Sequence, residues 1–140
     1  LYSSTFKKEY KTLLKHEYDD AKKNFILRDE GDEINDIYIC MGIDNIHNLL
    51  ISLMNDLIHG KYKPTCNEII SKIDVYSLGI LLPTMIYRYG IIHGKTVNYI
   101  QKLCSHKELK DIFDLFRKMT QLKSTERITP SEAYKIYQEI

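Results

Sequence analysis

The chain has 140 residues, 44% of them apolar, enough to bury a real core, and one domain is the expected organisation. Its 20 basic and 19 acidic residues leave a formal charge of +1, which argues against a dedicated nucleic-acid or polyanion binder. Three scattered cysteines, Cys40, Cys66 and Cys104, make no disulfide framework and fit a reducing compartment. With no signal peptide and no apolar run long enough to span a bilayer, a cytoplasmic location is expected.

Taken in chain order, Phe6, Tyr10, Leu13, Leu14 and Tyr18 repeat at helical spacing, with Ser4 or Thr5 as a cap, and predict a first amphipathic helix over about Thr5 to Glu17 with a lysine-rich opposite face. Tyr18 to Asp36 is polar and acid-dense and reads as a loop anchored by Phe25, Ile26 and Leu27. Asp29, Glu30, Asp32 and Glu33 lack the ligand order and bidentate glutamate of an EF-hand, so a solvated acidic loop is the reading. Ile37 to Met41 is the one candidate strand. Ile46, Leu49, Leu50, Leu53, Leu57 and Ile58 then form one helical stripe, capped by Asp44 and ended by Gly60 in the left-handed conformation.

Lys61 to Asn67, with Pro64, reads as a loop, and Ser71 is a suitable N-cap for the run that follows. Lys72 to Leu82 is apolar on nearly every side, which places such a helix in a core. One ionisable residue, Asp74, sits near its start, where burial requires that it accept several hydrogen bonds. Pro83 falls inside the helical pattern and predicts a kink, with Gly79 relieving the crowding, before the helix ends over Tyr87 to Gly90. Val97, Ile100 and Leu103 mark a short helix after Thr96. Leu109, Ile112, Phe113, Phe116 and Met119 make a strong stripe, and Ala133, Ile136, Tyr137 and Ile140 another. The last helix has an orderly start, with Thr129 at the cap, Pro130 at the first helical position and Glu132 at the capping-box position. The fold class is mostly α.

The segment Lys72-Ile73-Asp74-Val75-Tyr76-Ser77-Leu78-Gly79-Ile80 resembles the central helix of the C-terminal lobe of eukaryotic-type protein kinases, which reads Asp-Val-Trp/Tyr-Ser-Leu-Gly followed by apolar residues. Asp114 to Met119 and Arg127-Ile128-Thr129-Pro130-Ser131-Glu132-Ala133 are similar to the closing helices of that lobe, in the expected order. The resemblance implies the helical part of a kinase C-terminal lobe with an enlarged helical segment before the central helix. Residues 1–71 would be helical insert and loops, and 72–140 central and closing helices. It implies that Asp74 accepts hydrogen bonds from the catalytic loop, that Arg127 pairs with the glutamate of an Ala-Pro-Glu motif, and that Tyr76, Leu78 and Ile80 help form a central hydrophobic anchor. Lys123-Ser124-Thr125-Glu126 stand where Asp-Pro usually precedes the arginine. The abundance of Ile, Lys, Asn and Tyr, together with the long insert, is similar to the kinase-like proteins of large DNA viruses, for which the compartment would be the host cytoplasm.

The Gly-rich phosphate loop, the Val-Ala-Ile-Lys lysine, His-Arg-Asp and Asp-Phe-Gly are all absent, so this chain alone carries no catalytic, cofactor-binding or metal residues of a kinase. It starts at Leu1 rather than methionine and reads as a piece of something longer. By resemblance, the full-length protein would use ATP and magnesium to phosphorylate serine or threonine, and this piece would be the supporting and substrate- or partner-docking half. Its partners would be the kinase N-terminal lobe and catalytic loop, with a protein substrate or regulator, and neither nucleic acid nor membrane. The alternatives are a pseudokinase or kinase-derived interaction domain, and an unrelated helical bundle. Outside that resemblance, His16, His47, His59, His93 and His106 are candidate bases and the three cysteines candidate nucleophiles, with no sequence sign that any pair converges. Cys104 and His106 lack the two further ligands of a zinc site. Tyr87-Arg88-Tyr89 and Lys61-Tyr62-Lys63 interleave aromatics with charge as base-stacking sites do, but each cluster is short and the net charge near neutral, so loop-edge tyrosines lying over a core are the reading.

Overall fold

In the computed structural model, which describes residues 4–24 and 33–140, seven α-helices carry most of the chain and no strand occurs among the described residues. They are α1 (Ser4–Asn24), α2 (Glu33–Cys40), α3 (Ile46–Ile58), α4 (Cys66–Ile92), α5 (Val97–Cys104), α6 (Lys110–Met119) and α7 (Pro130–Glu139), with a 3-10 turn at Lys107–Leu109 leading into α6. α4 is the axis: α2, α5, α6 and α7 pack along one side of it, while α1 packs on α3. The expected acidic loop lies partly outside the described residues, including Phe25, Ile26, Leu27, Asp29, Glu30 and Asp32. Its two ends are helical, since α1 runs on to Asn24 and α2 starts at Glu33.

The candidate strand is the clearest departure, because Ile37 to Cys40 is helical and Met41 follows as a turn. Ile37, Cys40 and Met41 recur at the three- and four-residue spacing of a helix, and all three are buried in the main core with Tyr38 beside them. Their β-branched neighbours weigh toward strand locally, but packing against α3, α4 and α5 decides. Gly42, with φ of 74°, lets the chain leave the helix. In α1 the expected stripe is only partly turned inward: Leu14 and Tyr18 are half-buried, while Tyr10 and Leu13 stand exposed.

Helix ends follow local chemistry. Asn45, not Asp44, caps α3, its side-chain oxygen accepting from the His47 N–H at 2.8 Å, and Gly60 at φ of 69° closes that helix as expected. α4 begins six residues before Lys72 because Thr65 and Glu68 form a capping box; Ser71, expected as the cap, lies inside the helix and donates to the Glu68 carbonyl. The capping box of Thr129 and Glu132 with Pro130 starts α7 as predicted. α4 continues through Pro83 to Ile92, past the expected end at Gly90.

Gly79 also makes room for a neighbouring helix. A Cβ placed there would lie 2.6 Å from the Met119 Cβ, and one at Gly90 would lie 2.7 Å from Ile100 Cδ1. The two glycines let α6 and α5 come against α4 at backbone distance. Phe113 and Phe116 meet edge to face at 5.7 Å between ring centres beneath them, and Ile100, Cys104, Leu115 and Ala133 complete the core.

The expectation that the central helix is buried all round is corrected. One side of α4 carries buried Val75, Gly79, Pro83 and Gly90, but Ile70, Ile73, Leu81, Leu82, Met85 and Ile92 are exposed on the other. By length and composition this helix is also apolar and long enough to cross a membrane, contrary to the first reading of the sequence. The apolar stretch from Val75 to Tyr87 counts as part of one 27-residue helix once Pro83 is seen not to break it.

Candidate functional site around Arg127

The loop between α6 and α7 is held by side chains from four separate segments. Arg127 stands at its end, where the Thr129 cap fixes the start of α7. Its Nε donates to the Gln121 carbonyl at 2.8 Å and its Nη2 to the Leu122 carbonyl at 3.1 Å, gathering its own loop. Its Nη1 donates to the Lys72 carbonyl at 3.0 Å, and the guanidinium lies 4.9 Å from the centre of the Tyr76 ring. One planar cation thereby joins the closing loop to the first part of α4, which needs the fixed fork of arginine. Burial pulls its pKa below the ordinary arginine value, and the nearby Tyr76 and Tyr38 rings oppose that shift.

Two tyrosines extend the site inward. The Tyr38 hydroxyl donates to the Thr120 carbonyl at 3.1 Å and lies 2.8 Å from the Tyr76 hydroxyl. A phenol has one proton, so with Tyr38 donating to the carbonyl, Tyr76 donates to Tyr38. Burial, reinforced by Tyr76, pushes the Tyr38 pKa far above the usual phenol range, so it remains a neutral hydrogen-bonding post. On the other flank Lys72 Nζ donates to the Ser124 carbonyl at 2.7 Å. The Tyr62 hydroxyl accepts from the Ser124 N–H at 2.9 Å and meets Ser124 Oγ at 2.8 Å. Lys123 pairs with Asp56 of α3 at 2.5 Å, which holds the carboxyl below and the ammonium above their ordinary values.

The expected site residues divide. Arg127 and Tyr76 are brought together, and Ile80 is half-buried against the core. Leu78 is 62% exposed and stands outside that anchor, because it falls on the uncovered side of α4. Asp74 is also exposed and has no hydrogen-bond or ion-pair partner among the described residues, so the burial argument made for it does not hold within this chain. Tyr38, Lys72, Thr120 and Ser124 were not singled out as site residues in the sequence, and Tyr62 only as part of a base-stacking pattern; their partners here lie tens of positions away, and no local pattern announces them.

Of the other candidates, Cys40 and Cys104 share the core, close enough that, besides burial, Cys104 helps to raise the Cys40 thiol. His47 is buried, whereas His59 is exposed with Nδ1 2.8 Å from the Asn55 carbonyl; His93 meets the Tyr89 ring at a tilt of 50°, and His106 accepts from the Glu108 N–H. Cys40 and Cys104 are buried, and burial pushes their thiols up to about 12 and about 11, the opposite of an activated nucleophile. No group of three or more metal-ligating side chains occurs among the described residues. Beside the Arg127 loop, a cleft of about 170 Å³ lies between Tyr38, Ile43, Leu49 and Leu53 on one side and Leu122 and Lys123 on the other. It falls below the roughly 300 Å³ at which small-molecule pockets usually begin. No protein-family model, curated protein or solved structure matches the chain.

Proposed function

We propose that this chain is the helical half of a protein-kinase C-terminal lobe, with α4 as its central helix and α5, α6 and α7 as its closing helices. The observation that carries this reading is Arg127: it comes from the loop before the last helix and lies on the Lys72 carbonyl and the Tyr76 ring, beside the motif around Asp74. An accidental likeness between two short motifs gives no reason for them to meet across 55 residues. The longer parent would transfer the γ-phosphate of ATP, with magnesium, to a serine or threonine hydroxyl in the cytoplasm. The phosphate and metal sites would lie in segments outside these 140 residues, and Asp74 would accept backbone N–H groups from one of them. Expressing the longer reading frame that contains this chain, and measuring magnesium-dependent transfer of labelled γ-phosphate to a protein, tests the reading. Intact upstream motifs with no transfer under any metal would overturn it.

A second reading, a kinase-derived interaction domain without catalysis, is favoured by the bare outer side of α4, while the exposed, unpartnered Asp74 is what an unrelated helical bundle would show. Loss of the lysine and of the two catalytic aspartates upstream would select it.

A further inference from the structure

The uncovered face of α4 has an internal symmetry that specifies what fits on it. Ile70, Leu81, Met85 and Ile92 stand exposed there, Leu81 by 53% and Ile92 by 81%. At 3.6 residues per turn these four lie within about 60° of one another around the helix. Asp74 and Arg88 fall on the same line, and both are exposed. Leu81 is seven residues from each of these charges and eleven from each of Ile70 and Ile92. A two-fold rotation about Leu81 therefore carries Ile70 onto Ile92 and Asp74 onto Arg88.

We propose that this face binds a second copy of the chain, α4 against α4 in antiparallel, about a two-fold axis at Leu81. Such an isologous contact sets Leu81 on Leu81 at the centre, with two Asp74–Arg88 pairs flanking it and an Ile70–Ile92 contact at each end. Parallel pairing would put Asp74 on Asp74 and Arg88 on Arg88, so the charges select the antiparallel arrangement. They also argue for protein over lipid as the occupant, since a bilayer would leave the Asp74 carboxylate without a partner in hydrocarbon. Arg88 already meets Glu33 through Nε and Nη2, and its guanidinium has further donors for a second carboxylate. From Ile70 to Ile92 the stripe is roughly 33 Å long and about 10 Å wide. It buries on the order of 350 Å² per copy, less than the roughly 800 Å² of a permanent complex, so association is weak and depends on concentration.

The inference rests on the second reading above, in which this face is open to a partner. Sedimentation of the 140-residue chain between about 1 and 300 µM reads the monomer–dimer equilibrium across the micromolar range. Leu81→Glu is expected to raise Kd by about tenfold or more. Asp74→Arg and Arg88→Asp each weaken the dimer, and the double exchange restores it. Leu81, Asp74 and Arg88 are all exposed, and the only pair lost among the described residues is the surface one between Arg88 and Glu33, so the variants should keep their far-UV circular dichroism. A chain that stays monomeric throughout, a dimer indifferent to Leu81→Glu, a double exchange that restores nothing, or a monomer captured by phosphatidylcholine vesicles would each overturn the proposal. None of these results bears on phosphotransfer by the longer reading frame, so the two proposals fail separately.

Discussion

Replacing Arg127 by methionine keeps the length of the stem and removes the fork. Three hydrogen bonds from one cation are lost, to Gln121, Leu122 and Lys72, together with the stack on Tyr76. A hydrogen bond to a charged group contributes about 1.5–3 kcal/mol when well buried. Arg127 is only half-buried, and water can replace part of what the three carbonyls lose, so the sum is discounted to roughly 3 kcal/mol in all. With no tryptophan in the chain, urea unfolding is best followed by far-UV circular dichroism. A slope of about 2 kcal/mol per molar then moves the midpoint down by about 1.5 M. Asp74→Ala is the internal control: exposed and unpartnered, it should change stability by less than about 0.5 kcal/mol. If Arg127→Met shifts the midpoint no more than Asp74→Ala does, the guanidinium does not hold the closing loop on α4, and the observation behind the kinase-lobe reading loses its force.

Gly79→Ala gains up to about 1 kcal/mol of helix propensity but drives a methyl into Met119, for about 1–3 kcal/mol of overpacking. Net destabilisation, against near-neutrality for the exposed Ser77→Ala, is expected in the same unfolding assay. The Asp56 carboxyl is held below its unfolded value by Lys123, so the stability it contributes is present above the usual carboxylate range and is lost as pH falls through the folded pKa. Lys123 is raised, so its share is present below the usual ammonium range and is lost as pH rises through the folded pKa. Asp56→Asn should flatten the dependence of Tm on pH at both ends, and an unchanged profile would show that the pair contributes nothing in solution. Cys66 is exposed while Cys40 and Cys104 are buried with raised thiols. A thiol reagent at pH about 8 should therefore titrate one thiol quickly in the folded chain and the other two only on unfolding; fast reaction of a second thiol would show that α2 or α5 opens.

By itself the sequence determined the features that depend on neighbours within a turn or two. Thr129-Pro130 with Glu132 started α7, Gly60 ended α3, and the stripe from Phe113 to Met119 found the core side of α6, because caps and apolar spacing act locally. It also marked Arg127 and Tyr76 as worth following. Tertiary structure decided what depends on distant partners. Ile37 to Cys40 became helix because its apolar residues pack against α3, α4 and α5; Gly79 proved to be a contact with Met119, forty positions on. The sides of α4 could not be told apart in a run apolar all round, since periodicity vanishes when every face is greasy. Only packing showed that Val75 and Gly79 turn inward while Leu78 and Leu81 do not. Tyr38, Tyr62, Lys72 and Ser124 belong to the Arg127 site through bonds that span between 38 and 82 residues, and such bonds exist only after the chain has folded.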